Sequence, residues 1–291
     1  HSCLVGSEMC IRDSKNIETI ILNNINFSGK LIFKENNKLK KLILRDIVSE
    51  EINIEDLISL KTIEIGNKFH GEIKWPTEVK IKCTKFGEIF NSKIDDRFWS
   101  YETIECLIIG SSYDREIILD NFKYLKKLVI GISYDGSNLN LKECSKTLEC
   151  LKCCGNVFEN NNYMMKNLIN LSLRSISHTI NFSNFPNLRT LEMTITNGEH
   201  IDLSKCNNLR SVRLIMYKNI PLIFGKHKKL LSIDIRGKYN KELDLSEIKN
   251  LLILKTGRSY NKKLDISNNK KLEILHLGKN YKENVIGIDI N

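Results

Sequence analysis

From Lys15 onward the chain contains no alanine and no glutamine, and its 291 residues hold only three prolines, Pro76, Pro186 and Pro221. Lysine, asparagine and isoleucine are spelled by AT-rich codons and alanine is not, so the gaps read as the signature of an AT-rich coding sequence. The formal net charge of +10, from 45 Lys and Arg against 35 Asp and Glu, follows from the same bias and does not by itself demand an acidic partner. No stretch reaches 18 apolar residues, which excludes a membrane-spanning helix. The nine cysteines fall to an odd number, irregularly spaced, once Cys3 and Cys10 are set aside, so no disulfide framework is expected. No H-E-x-x-H, G-x-S-x-G, P-loop or paired-carboxylate motif is present, and His70, His178, His200, His227 and His276 are scattered, mostly at turns. The sequence therefore points to no catalytic residue, no metal and no cofactor.

The first fourteen residues differ in style from the rest. Val5 to Ser14 resembles a sequencing-library transposon adapter read through as protein, and Glu8, Arg12 and Asp13 make it a poor secretory segment. Residues 1–14 are read as a non-native, disordered tail and 15–291 as a single domain truncated at its N-terminus.

What the chain does have is self-similarity. An L-x-x-L-x-L frame recurs with first residues Ile17, Leu39, Leu60, Ile81, Ile104, Leu125, Leu148, Leu168, Leu188, Leu209, Leu230, Leu251 and Leu272, spaced by 20 to 23 residues. Within each unit the third and fifth residues after this anchor, such as Leu128 and Ile130, are expected to alternate inward along a short strand. A glycine commonly follows (Gly66, Gly87, Gly110, Gly131, Gly257, Gly278), read as permitting a positive φ or a tight bend. Three residues later comes an aromatic ring (Phe69, Phe90, Tyr113, Tyr134, Tyr239, Tyr260, Tyr281), expected to stack coil upon coil. A polar turn residue such as Asn91, Asp114, Asn240 or Asn261 comes next. A second short strand then faces back inward, as at Ile201 and Leu203 or Leu264 and Ile266, with Ser204, Ser246 and Ser267 placed to bond the following turn. A coil of about 21 residues buries too few apolar side chains to offset its own ordering entropy, so stability must come from stacked neighbours. The expected fold is a mainly-β repeat solenoid. It is an arc of about 13 coils, with a parallel sheet from the L-x-x-L-x-L strands and short second strands on the opposite side. None of the three prolines falls inside an L-x-x-L-x-L strand.

Over residues 15–291 the frame resembles leucine-rich repeats. The pattern L-x-x-L-x-x-G-x-x-(F/Y)-N-x-x-(I/L) is carried by Leu251, Leu254, Gly257, Tyr260, Asn261 and Leu264, and is similar to the Phe-Asn-Ile-Pro (FNIP) repeat. The proline of that repeat is replaced by Glu72, Glu116 or Lys263. The resemblance implies a non-catalytic protein–protein recognition scaffold that recruits a partner, of the kind found beside F-box domains in slime moulds and giant viruses, and therefore a cytoplasmic setting, host cytoplasm included. The alternatives are an extracellular adhesion repeat, for which Asn26, Asn170 and Asn181 supply N-x-S sequons, and a polysaccharide-cleaving β-helix.

The outward residues of the first strand form the informative column. They are Ile21, Ile43, Glu64, Lys85, Ile108, Val129, Lys152, Ser172, Glu192, Arg213, Asp234, Lys255 and His276. From Glu192 to Lys255 the charges alternate, which reads as a register-fixing ladder. Ile108 and Val129, adjacent and β-branched, with Lys152 and Ser172 beyond them, form the candidate protein-binding surface, unless a side chain such as Trp99 covers it. Cys150, Cys153 and Cys154 make half a zinc site and are read instead as small framework hydrophobes, like Cys144 in a core slot. Asp202, Asp244 and Asp265 are read as solvated strand edges. The lysine pairs from Lys40–Lys41 to Lys270–Lys271 fall at different offsets and make no continuous track for nucleic acid.

Overall fold

The computed structural model describes residues 2–5, 8–11, 16–26, 29–34, 38–78, 80–100, 102–160 and 162–288. The chain divides into two compact units, one of residues 1–134 with 139–148 and the other of residues 135–138 with 149–291. Each is a parallel-sheet solenoid of coils about 21 residues apart, almost free of α-helix.

In the first unit the L-x-x-L-x-L segments form the strands Thr19–Asn23, Lys41–Arg45, Thr62–Ile65, Cys83–Phe86, Cys106–Ile109 and Lys127–Ile130. All pair in parallel with the sequence neighbour, and equivalent residues of the repeat face one another: Ile21 pairs with Ile43, then Glu64, Lys85, Ile108 and Val129 in turn. Strands of period two send alternate residues inward, and Leu42, Leu44, Ile63, Ile65, Leu107, Ile109, Leu128 and Ile130 are all buried. On the return side, Lys30–Phe33, Glu51–Asn53 and Glu72–Lys74 make a second parallel sheet.

Part of the segment 1–14 runs beside that second sheet. Backbone of Glu8–Ile11 pairs in parallel with Lys30–Phe33, and Ser2–Val5 pairs antiparallel with Glu8–Ile11. An edge strand such as Lys30–Phe33 presents unpaired backbone groups on its outer side, which an extended segment can pair. The remaining residues of this segment lie outside the described residues.

The second unit repeats the plan with Cys150–Cys154, Asn170–Ile176, Thr190–Ile195, Ser211–Met216, Ser232–Gly237, Ile253–Thr256 and Ile274–His276. Lys152, Ser172, Glu192, Arg213, Asp234, Lys255 and His276 face one another in that order. Its return strands are two residues long, Ile201–Asp202 against Leu222–Ile223 and Leu264–Asp265 against Val285–Ile286. Among the described residues, the six first strands of one unit and seven of the other match the thirteen anchors read from the sequence, and no helix is long and apolar enough to cross a membrane.

Two corner devices hold the coils in contact. The aromatic column stacks as expected: Phe69 on Phe90 (6.4 Å, 13°) and Phe90 on Tyr113 (6.3 Å, 8°) in the first unit, Tyr239 on Tyr260 (6.1 Å, 4°) and Tyr260 on Tyr281 (6.0 Å, 9°) in the second. The glycine column needs a different explanation from the one its sequence suggested. Gly66, Gly87, Gly110, Gly131, Gly257 and Gly278 do not have positive φ. A Cβ added at Gly110 or Gly131 would fall under 3.0 Å from backbone of the preceding coil, so these glycines serve close backbone approach. Left-handed backbone occurs one position later and in other coils, at Asn24 (φ 57°), Asp46 (φ 51°), Ser175 (φ 56°) and Gly237 (φ 84°).

The core slot three residues before the anchor holds Phe122, Cys206 and Ile248, and Cys144 fills it four residues before Leu148; all are fully buried, as read from the sequence. It also holds His227, which was expected at a turn. The imidazole is buried at 0% exposure beside Phe224, and neither ring nitrogen makes a well-formed hydrogen bond among the described residues.

Candidate interaction face on the first strands

The outward side of each first strand carries two columns of side chains, one two residues and one four residues after the anchor. In the first unit the outer of these brings Ile108 and Val129 directly opposite each other. Both are half-buried, less open than a free surface pair, because side chains of neighbouring strands stand beside them at the 4.8 Å strand spacing. Ile43, in the same column, is buried outright. Trp99 is not their cover. It sits in the core, edge-on to Phe98 (5.1 Å, 77°) and tilted on Phe122 (6.2 Å, 53°).

Charged residues around this pair are tied to one another. Glu64 receives Lys85 at 3.0 Å and Arg45 at 3.6 Å. Glu105 receives Lys82 at 2.8 Å and Lys126 at 3.0 Å, which holds its carboxyl below the usual range. The two apolar residues thus stand near carboxylates that lysine and arginine already match.

In the second unit Lys152 and Ser172 face each other in register, and the Ser172 hydroxyl lies 3.4 Å from Glu192 Oε2. The expected charge ladder is present in part. Arg213 reaches Glu192 at 3.7 Å and Asp234 at 3.6 Å. Asp234 faces Lys255 across the ladder, yet its carboxylate is taken in a two-pronged bond by Arg236 (Nε 2.9 Å, Nη2 2.9 Å), two residues along the same strand. A planar guanidinium matches both carboxylate oxygens at once, which a lysine cannot do. The sequence ladder considered one column only, and Arg236 stands in the next position outward. A concavity of about 750 Å³ opens here, lined by Arg236, Lys255, Arg258, His276 and Lys279 with Asp234 as its carboxylate.

Other residues marked in the sequence take structural roles. Asp202, Asp244 and Asp265 each accept the backbone N–H of the serine two residues on, at 2.9, 3.0 and 2.9 Å. At Asp244 and Asp265 the serine hydroxyl bonds the same oxygen. These carboxyls are held below their ordinary range first by the serine side chains. The serines therefore close an Asx turn backward, and among the described residues no bond forward into the next turn is seen, contrary to expectation. Cys153, Cys154, Cys144 and Cys206 are buried and Cys150 is half-buried. Burial pushes the thiols of Cys144 and Cys206 up to about 12, and that of Cys153 up as well. Among the described residues no three His, Cys, Asp or Glu side chains gather at metal-binding distance.

Sequence reading missed one feature of the corner. Asn219 Oδ1 accepts the N–H of Asn240 (2.8 Å), Asn240 that of Asn261 (2.9 Å), and Asn261 that of Lys282 (2.7 Å). The recurrence of asparagine after the aromatic was the available signal, read only as a turn preference.

No protein-family model matches the sequence, and no curated protein matches it. Among solved structures, the chain is similar to a plant peptide hormone receptor, RGFR1, in complex with RGF2, at 15% identity and a TM-score of 0.34. The match covers 91% of this chain and 63% of the receptor chain, so this chain spans less than two thirds of the receptor's length.

Proposed function

We propose that the chain is a non-catalytic recognition module, a leucine-rich-repeat-like solenoid of FNIP type, which captures a protein partner on the outward face of its first strands. The contact residues are Ile108 and Val129 in the first unit and Lys152 and Ser172 in the second. The observation that carries this reading is the register pairing of Ile108 with Val129 on an outward column whose neighbouring carboxylates Glu64 and Glu105 are already matched by Lys85, Arg45, Lys82 and Lys126. An apolar pair near carboxylates that are already matched gains burial of both side chains when a partner covers it, with those carboxylates kept in their ion pairs. Nothing in this role requires a bound metal or cofactor.

The test is capture of partners from a cell extract by the wild-type chain, by Ile108→Glu/Val129→Glu, and by a control variant on the return side, Lys263→Glu. All three are first matched for circular dichroism and melting temperature. Proteins retained by wild type and control but lost with the double variant support the face. Retention of every captured protein by a folded double variant removes it.

A further inference from the structure

We propose that Cys83 and Cys106 form a reversible dithiol–disulfide pair on the outward face of the first unit, oxidised by a hydroperoxide to a bond that staples two successive coils. The two cysteines are Cα partners on adjacent parallel strands. Both stand two residues after their anchors, in an outward column that reads Thr62, Cys83, Cys106, Lys127. Parallel strands run about 4.8 Å apart, inside the window of roughly 4.4–6.8 Å that a disulfide requires between Cα atoms. Both thiols are free and half-buried, so a small oxidant reaches them and neither is locked in the core.

The surroundings separate the roles of the two sulfurs. The neighbouring Cys106 side chain is the main influence that brings the Cys83 thiol down to about 7. Burial opposes it, Lys127 and Lys41 assist, and Glu64 opposes. Glu105, the other nearby carboxylate, is neutralised by Lys82 and Lys126. Cys106 is pushed up first by the Cys83 side chain, then by burial and by the charge on Cys83. Cys83 is therefore the nucleophile and Cys106 the resolving thiol. The Cys83 thiolate attacks one oxygen of the hydroperoxide, the O–O bond breaks and hydroxide or alkoxide leaves, giving a sulfenic acid at Cys83. With the thiolate charge gone, Cys106 loses its proton and its sulfur attacks the sulfenic sulfur. The S–S bond forms, the S–O bond breaks, and the departing hydroxide takes the proton as water. Two thiols and one hydrogen peroxide thus yield one disulfide and two waters. The Cβ atoms must draw in from strand spacing toward a disulfide's separation of about 3.8 Å, so the bond is strained and a dithiol reduces it readily.

The pair contrasts with Cys144, Cys153 and Cys206, whose thiols burial holds up and out of reach. Cys106 shares its strand with Ile108 and Cys83 lies on the next strand, but the test of the pair needs no partner. The reduced full chain is treated at pH 7.5 with hydrogen peroxide and mapped by non-reducing peptide mass spectrometry. The expected product is a Cys83–Cys106 cross-link with the loss of two hydrogens, reversed by dithiothreitol. In Cys106→Ser, Cys83 stops at a sulfenic acid trapped by dimedone, and in the untreated protein iodoacetamide labels Cys83 at least tenfold faster than Cys144, Cys153 or Cys206. If peroxide leaves both thiols intact, drives Cys83 to sulfinic acid in the wild type, or links cysteines only between molecules, the assignment is overturned.

Discussion

Asn240 Oδ1 accepts the backbone N–H of Asn261 at 2.9 Å, tying the turn of one coil to the turn of the next by a side chain rather than by the sheet. Because Asn219 and Asn261 do the same on either side, the turn column of the second unit is cross-linked independently of its strands. Replacing Asn240 by Ala removes the acceptor and leaves a half-buried N–H unpaired, a loss of about 1 kcal/mol. Amide exchange at Asn261 should accelerate roughly fivefold, and Asn240→Asp, which keeps an acceptor oxygen, should restore much of the protection.

The stacked tyrosines separate ring packing from hydroxyl bonding. Tyr239 donates its hydroxyl to the Glu242 carbonyl at 3.0 Å, whereas the buried Tyr260 hydroxyl has no hydrogen-bond partner among the described residues. Tyr239→Phe is expected to destabilise the second unit by about 1 kcal/mol, and Tyr260→Phe to be neutral or stabilising. Tyr260→Ala, which breaks the stack on both sides, should cost about 3–5 kcal/mol. Urea unfolding of the three variants gives the comparison.

Thr84 fills an inward slot held elsewhere by Leu42, Ile63, Leu107 and Leu128. It is fully buried, and its hydroxyl is unpartnered among the described residues. Thr84→Val has nearly the same shape without the stranded oxygen. It should stabilise the first unit by about 1 kcal/mol, read as a raised urea midpoint at unchanged slope.

His227 predicts an acid sensitivity. Burial lowers its folded-state pKa from 6.5, against a weaker opposing influence of the backbone at Phe224 and Leu203. Between the folded and unfolded values the unfolded chain binds more protons, so stability is complete above pH 6.5 and falls as the pH drops below it. The Asp202, Asp244 and Asp265 carboxyls, lowered from 3.8, titrate beneath this window. Melting temperature should therefore decline between pH 7 and pH 5 in wild type. In His227→Leu, which places an aliphatic group where Ile248 stands one coil later, it should stay nearly flat over the same range.

The repeat period, the number of first strands, their in-register pairing, the inward columns and the aromatic stack were all legible in the sequence. They follow from one constraint: side chains at equivalent positions must share one environment when identical coils stack, so the constraint writes itself into every unit. Residues that depart from the frame were misread where the sequence offered a local explanation. Glycine suggested a positive φ, although close coil contact was the cause. A serine after an aspartate suggested a forward bond, although the nearer acceptor lay behind it. A histidine near lysines suggested a turn, although its column was core.

The sequence by itself determined which residues are equivalent, because periodicity is a property of order along the chain. Only the tertiary structure decided which equivalent residues touch. It is strand pairing, set by backbone hydrogen bonding, that places Cys83 and Cys106 opposite each other on neighbouring strands. Only the folded arrangement of side chains lets Arg236 take Asp234 from Lys255 and half-covers Ile108 and Val129 on a face that the pattern alone marked as open.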